Sequence, residues 1–215
     1  MTTPRDLLIT TLELSSSRPP GEGDLSLALA GAELIDLLNA RAATLEDDRI
    51  VPGGNVPGET LPGWDGAASE RLLNEASSSF TRQEPYETVE DWLWRRGRGL
   101  AAVYLTALRS EGQITQQRRS RWIPFGTSRL VVTDNPARRA ALDRRTSDEP
   151  VLASLATAVG IGGRQLEDLP DPLVAADEPA AAVLVGVHNA LRDLEAERQR
   201  RSIEQAAFDN IWRGE

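Results

Sequence analysis

The chain has no cysteine and no lysine, and its 215 residues include a single histidine and a single methionine. Without thiols it can form no disulfide, no thiolate metal site and no cysteine nucleophile, and the composition suits a reducing compartment. A lone imidazole, His188, cannot supply the histidine sets of zinc centres, and it argues against a His-dependent hydrolase. Its setting among the apolar residues of 180–191 fits a hydrogen-bonded core histidine better than a catalyst. Acids are plentiful, 33 in all, but no pair has a spacing that marks a general acid and base. There is no Walker sequence and no dinucleotide glycine pattern, since Gly160-Ile161-Gly162-Gly163 lacks the strand and helix such a pattern needs. No catalytic residue, metal ligand or cofactor is therefore expected, and the chain reads as non-enzymatic.

Long hydrophobic runs are also missing. The longest apolar stretches, near residues 25–38 and 180–187, fall short of the roughly 20 residues that span a bilayer. The start, Met1-Thr2-Thr3-Pro4-Arg5-Asp6 followed by an interrupted apolar stretch, does not read as a signal peptide. A protein of this composition meets a membrane, if at all, from one side. No repeat of 20 to 50 residues is visible, and the length favours one domain.

What is present is a segregated charge. All 24 basic residues are arginine. Half of them (Arg95, Arg96, Arg98, Arg109, Arg118, Arg119, Arg121, Arg129, Arg138, Arg139, Arg144 and Arg145) fall in residues 95–145 beside only Glu111, Asp134 and Asp143. That segment is +9 inside a chain of net charge -9. A basic segment in acidic surroundings focuses its field toward an anionic partner, and a guanidinium grips phosphate or carboxylate oxygens two at a time.

The apolar pattern predicts a mainly α protein: a single globular helical domain over residues 1–194 with one or two short β-hairpins, then an amphipathic helical extension over 195–215. A first short helix covers 7–14, and the Pro- and Gly-bearing stretch 15–23 ends it. A second, over 25–42, is apolar around most of its circumference and is expected to be buried. Residues 44–51, turning at Asp47-Asp48, read as a small hairpin, and Ser69 opens the next helix. Thr88 with Asp91 is a capping-box variant heading a helical stretch to Glu111. Gly97 and Gly99 predict a break in that stretch, with Arg95, Arg96 and Arg98 beside a new helix N-terminus whose free amides favour anions. A helical wheel puts Leu93, Leu100, Val103, Tyr104, Ala107 and Leu108 on an inner face, with Arg95, Arg98 and Arg109 outward. Residues 113–115 and 130–133 read as strands flanking a long arm. Helices follow from Asp134 or Asn135 with Pro136 and from Pro150, and a last one begins near Ala180. Beyond Glu195 its apolar stripe is Ile203, Ala207, Phe208, Ile211 and Trp212.

Several of these elements, in this order, resemble the Golgi phosphoprotein 3 family, which has many actinobacterial members besides its eukaryotic ones. The carriers are Leu34-Ile35-Asp36-Leu37 before a hairpin, Leu72-Leu73-Asn74-Glu75-Ala76 like the family's LLDEA, and Glu87-Thr88-Val89-Glu90-Asp91-Trp92-Leu93 like its ETVxxWI. They continue with the glycine turn after Leu105 and the Trp122-Ile123-Pro124-Phe125 arm. The resemblance implies a mostly helical domain that binds phosphatidylinositol 4-phosphate in a basic pocket, inserts a hairpin into the membrane face and, in eukaryotes, recruits glycosyltransferase tails. Carried over by position, Arg98 falls on one pocket arginine, while Ala101 and Ala30 stand where two others belong and no tryptophan matches the pocket's aromatic. Three of the four pocket positions are therefore not met, and Arg95 and Arg96 are candidates to rebuild the site.

The expected headgroup set is thus Arg95, Arg96, Arg98 and Arg109, whose alternative is a solvated face paired with nearby acids. The expected membrane or oligomer hairpin is Arg118, Arg119, Arg121, Trp122, Ile123 and Phe125. Its rings suit a bilayer boundary, the protein's own core or a second copy joined through residues 113–133. Arg138, Arg139, Arg144 and Arg145 read as a solvated helix face. The leading reading is a cytoplasmic adaptor, peripheral at the inner face of the membrane, that binds anionic phospholipid, with its protein clients unidentified. A nucleic-acid-binding or protein-interaction module using the same patch is the alternative, and overall acidity counts against nucleic acid.

Overall fold

Helix α2 (Glu22–Asn39) runs through the centre of the molecule, and from Leu25 to Ile35 every residue is buried. The computed structural model describes residues 2–15, 19–54, 68–118, 128–147, 149–161 and 177–213. Around α2 pack α1 (Thr3–Leu14), α3 (Ala68–Ser78), α4 (Val89–Arg96), α5 (Leu100–Ser110), α7 (Pro150–Ala158) and the long α8 (Glu178–Arg213), with α6 (Pro136–Thr146) further out. Two antiparallel hairpins complete the fold, β1 (Ala43–Glu46) with β2 (Arg49–Pro52), and β3 (Ile114–Arg118) with β4 (Ser128–Val132). The protein is mainly helical with two short hairpins, as its apolar periodicity predicts. No helix among the described residues is long and apolar enough to cross a membrane.

Local chemistry accounts for most boundaries. Thr88 caps α4 by accepting from the Asp91 amide at 3.0 Å while its hydroxyl donates to the Asp91 carboxylate at 2.9 Å. Asn135 caps α6 the same way, accepting from Arg138 N at 2.8 Å, with Pro136 in the first turn. Asp47 turns the first hairpin in the left-handed region at φ 56, with Leu45 opposite Ile50. The chain at 87–89 adds to that hairpin, Ile50 N donating to Glu87 O and Val89 N to Asp48 O, both at 2.9 Å.

The strands differ by up to three residues from those the sequence suggests, β3 running on to Arg118 and β4 starting at Ser128, and the helices differ more informatively. Helix α1 starts at Thr3 rather than residue 7, because Asp36 accepts both Thr3 N at 2.7 Å and Thr3 Oγ1 at 2.6 Å from 33 residues away. Helix α2 spans 22–39 rather than 25–42, since Glu22 and Asp24 occupy its first turn, where carboxylates favour the helix dipole. Helix α8 continues without a break through the charged stretch after Glu195, where Arg201 donates to Glu197 at 2.7 Å one turn back.

The core is sealed by two large side chains with polar handles. Trp92 is fully buried, donates Nε1–H to Ala30 O at 3.2 Å and lies 4.8 Å from the Phe80 ring. Tyr104 is also fully buried and finds its partner in Glu33. Glycine sets the closest helix approach: a Cβ at Gly31 on α2 would run into the Val187 methyl of α8.

Candidate functional site

The arginines of α4 and α5 are placed by a tight turn. Helix α4 ends at Arg96, Gly97 keeps helical angles, and Gly99 takes φ 67, a left-handed conformation that re-phases the chain before α5 begins at Leu100. This break changes the inner face that a continuous wheel predicts. Leu100, Ala101, Tyr104 and Leu108 point inward, whereas Val103 is 45% exposed. The α5 N-terminus offers no free amide to an anion. Leu100 N bonds Gly97 O, Ala101 N bonds Ser26 Oγ at 3.1 Å, and Ala102 N and Val103 N both bond Gly99 O. The first four amides of α5 are therefore already taken.

The four expected headgroup residues divide into two pairs. Arg95 forks onto Glu87, with Nε to Oε1 at 2.6 Å and Nη2 to Oε2 at 2.7 Å, and its guanidinium lies 5.1 Å over the Trp92 ring. The Glu87 hydrogen bond raises its pKa above the usual arginine value. Arg96 turns inward to the fully buried Glu33 and also donates to Glu75 at 2.9 Å and to Leu72 O at 3.2 Å. Burial pushes the Glu33 carboxyl up, and the Arg96 fork and the Tyr104 hydroxyl, 2.9 Å away, pull it back. Burial by itself would lower the Arg96 pKa, but the Glu33 bonds outweigh it and hold the guanidinium charged. Arg98 and Arg109 are different. Both are exposed, and among the described residues neither guanidinium has a hydrogen bond or ion pair.

The described guanidiniums of residues 95–145 therefore do not merge into one cationic plateau. Arg138 forks onto Glu13 with two bonds of 2.9 Å, and Arg144 reaches the buried Asp6 at 2.7 Å and Glu149 at 3.1 Å. The solvated-face reading of that helix fails for these two and holds for Arg139, which is exposed and unpaired. His188 is half-buried with Nδ1 3.1 Å from Leu184 O. Of the hairpin residues, Arg118 ends β3 opposite Ser128. Arg119, Arg121, Trp122, Ile123 and Phe125 lie outside the described residues.

One feature has no forerunner in the sequence reading. Helices α3 and α5 leave a groove of about 550 Å³ between them, floored by Ala102, Val103, Thr106, Ala107 and Ser110 and walled by Ala68, Arg71, Leu72 and Glu75. Small side chains on α5 open it, and the Glu111 carboxylate, accepting from the Ala68 amide, ties its two walls together at one end. The signal was the phase shift at Gly99, which moves Val103 from the core to the surface and leaves Ala107 half-buried.

The model of the Golgi phosphoprotein 3 (GPP34) family matches residues 4–208. That range spans nearly the whole chain, including both described hairpins and all but the last five residues of α8. Among curated proteins, none matches the chain significantly.

Proposed function

The chain belongs to the Golgi phosphoprotein 3 family, and from that premise we propose that it is a non-enzymatic adaptor. In this reading it docks on anionic phospholipid from the cytoplasmic side and offers an acidic surface to other proteins. The observation that carries this is Arg98, an exposed guanidinium with no carboxylate partner among the described residues, one glycine after two arginines that are both ion-paired. A free guanidinium on a rigid turn can fork onto a phosphate without first breaking an ion pair. Arg98 is also the one position that corresponds to a pocket arginine of the family.

Arg95 and Arg96 support the site instead of contacting the headgroup. Their ion pairs to Glu87, Glu33 and Glu75 fix the last turn of α4 and thereby the start of the turn that carries Arg98. Arg109 at the far end of α5 is a second unpaired cation for a surface that is anionic over a wide area. The arm between β3 and β4, with Trp122 and Phe125 among arginines, has the composition to enter the headgroup layer. The phosphoinositide, phosphatidylinositol 4-phosphate, follows from family resemblance, and with one matched position of four we take the recognised chemistry to be a phosphate monoester or diester on a lipid.

Vesicle co-sedimentation with and without anionic lipid, run beside a duplex-DNA shift at matched salt, tests this reading. Retention on anionic vesicles alone is the expected result. Binding to DNA without binding to vesicles would replace it with the nucleic-acid reading.

A further inference from the structure

Helix α2 carries two buried polar side chains on one face, Ser26 and Glu33, about two turns apart. Both reach the stretch of chain that holds Arg98. Glu33 grips it from the α4 side through the fork of Arg96, with bonds of 2.7 and 3.0 Å. Ser26 grips it from the α5 side, where its Oγ accepts from Ala101 N at 3.1 Å. Arg98 lies between these two attachments.

The turn depends on its ends because its middle is loosely packed. A Cβ at Gly97 would stand 3.3 Å from a Leu27 methyl and 3.4 Å from Ser26 O, so the chain passes close to α2 at that point. Around Gly99, at φ 67, no described atom lies within 4 Å of where a Cβ would be. A left-handed glycine with no neighbour can swing, and its freedom is limited only by what holds the residues on either side. Among the first four amides of α5, those of Leu100, Ala102 and Val103 are taken inside the turn, by Gly97 O and Gly99 O. The Ala101 amide is the one of the four that bonds to another helix. Ala101 is 1% exposed and Ser26 2%, so water does not replace this acceptor without movement of the chain.

We infer that Ser26 is a positioning residue for the anion site: it contacts no headgroup, and through Ala101 N it fixes the start of α5 and with it the direction of Arg98. This rests on the reading of Arg98 as the headgroup contact. A turn held in place before binding avoids the ordering cost that a loose turn has to meet when its guanidinium forks onto phosphate.

Equilibrium binding to vesicles of equimolar phosphatidylglycerol and phosphatidylcholine tests this with four chains: the parent, Ser26→Ala, Arg98→Ala and the double variant. Removing one arginine contact corresponds to about 1 kcal/mol, so Arg98→Ala should bind roughly fivefold more weakly. Ser26→Ala should lose about twofold or more, though no more than Arg98→Ala, and should lose nothing further when Arg98 is already alanine. Ser26→Cys, close in size but a weak acceptor, gives the same comparison should the alanine variant fold poorly. Ser26→Ala that binds like the parent while Arg98→Ala binds more weakly overturns the inference and leaves the Arg98 reading standing. A loss of equal size in the Arg98→Ala background overturns it too, since Ser26 would then act on the fold as a whole. If Arg98→Ala itself binds like the parent, the Arg98 reading fails and the inference falls with it.

Discussion

Arg96 closes on Glu33 with two hydrogen bonds, Nε to Oε2 at 2.7 Å and Nη2 to Oε1 at 3.0 Å, across 63 residues of sequence. Glu33 is fully buried on α2, so this pair joins the central helix to the last turn of α4, and through Glu75 and Leu72 O it reaches α3. An arginine that reads in the sequence as part of an outward basic cluster is thus a brace inside the fold.

Removing one half of that brace should be costly. Arg96→Met leaves the Glu33 carboxylate buried without its cation, a situation that costs about 3–5 kcal/mol. Urea unfolding should show that loss, and the double change Arg96→Met with Glu33→Leu should recover most of it. If the single and double variants are equally unstable, the pair is not what holds the two helices.

Asp36 gives the protein a pH signature. Burial, partly offset by the two bonds from Thr3, raises its pKa from 3.8 to about 6. The folded state therefore binds this proton more tightly than the unfolded chain. Its contribution favours folding fully below about 3.8 and is lost as pH rises through about 6. The span corresponds to about 3 kcal/mol at most, and less because the side chain keeps some contact with water. Asp36→Asn should make the stability profile flatter between pH 4 and 7, as measured by urea midpoints. An unchanged slope would show that Asp36 titrates normally.

Thr88 is a simpler case. Its hydroxyl accepts from the Asp91 amide and donates a hydrogen bond to the Asp91 carboxylate. Thr88→Ala should cost about 1 kcal/mol, a drop of roughly 2–4 °C in Tm for a chain of this size. Thr88→Ser should stay close to the parent.

The crossing of α2 and α8 depends on Gly31. Gly31→Ala sets a methyl against Val187 and should destabilise by about 1–3 kcal/mol through overpacking. Combining it with Val187→Ala should relieve the clash, so that the double variant is more stable than the sum of the two single effects. Simple additivity in thermal unfolding would locate the strain elsewhere.

Much of the architecture was legible because its determinants are local. The Thr88 and Asn135 caps, the Asp47 turn and the Gly99 break each lie within four residues of the boundary they set. What was not legible depends on distant partners. The start of α1 rests on Asp36, and Arg144 is fixed by Asp6 from 138 residues away. The division of the arginines could not be read from their own segment, because Glu13, Glu33, Glu75 and Glu87, which neutralise three of them, all lie outside residues 95–145. The wheel that placed Val103 inward treated 88–111 as one helix, and a left-handed glycine in the middle rotates everything after it.

The central claim is that Arg98 meets the lipid while Arg95 and Arg96 hold the scaffold. Equilibrium binding of Arg98→Glu to vesicles with and without anionic lipid tests it most directly, with Arg95→Ala as the comparison. Reversing one charge at an anionic surface removes about 1 kcal/mol of attraction and adds a similar repulsion, roughly a thirtyfold loss of affinity. The account predicts that loss for Arg98→Glu and less than about a twofold change for Arg95→Ala, whose guanidinium is already held by Glu87. Anionic-vesicle affinity that is unchanged in Arg98→Glu would contradict it.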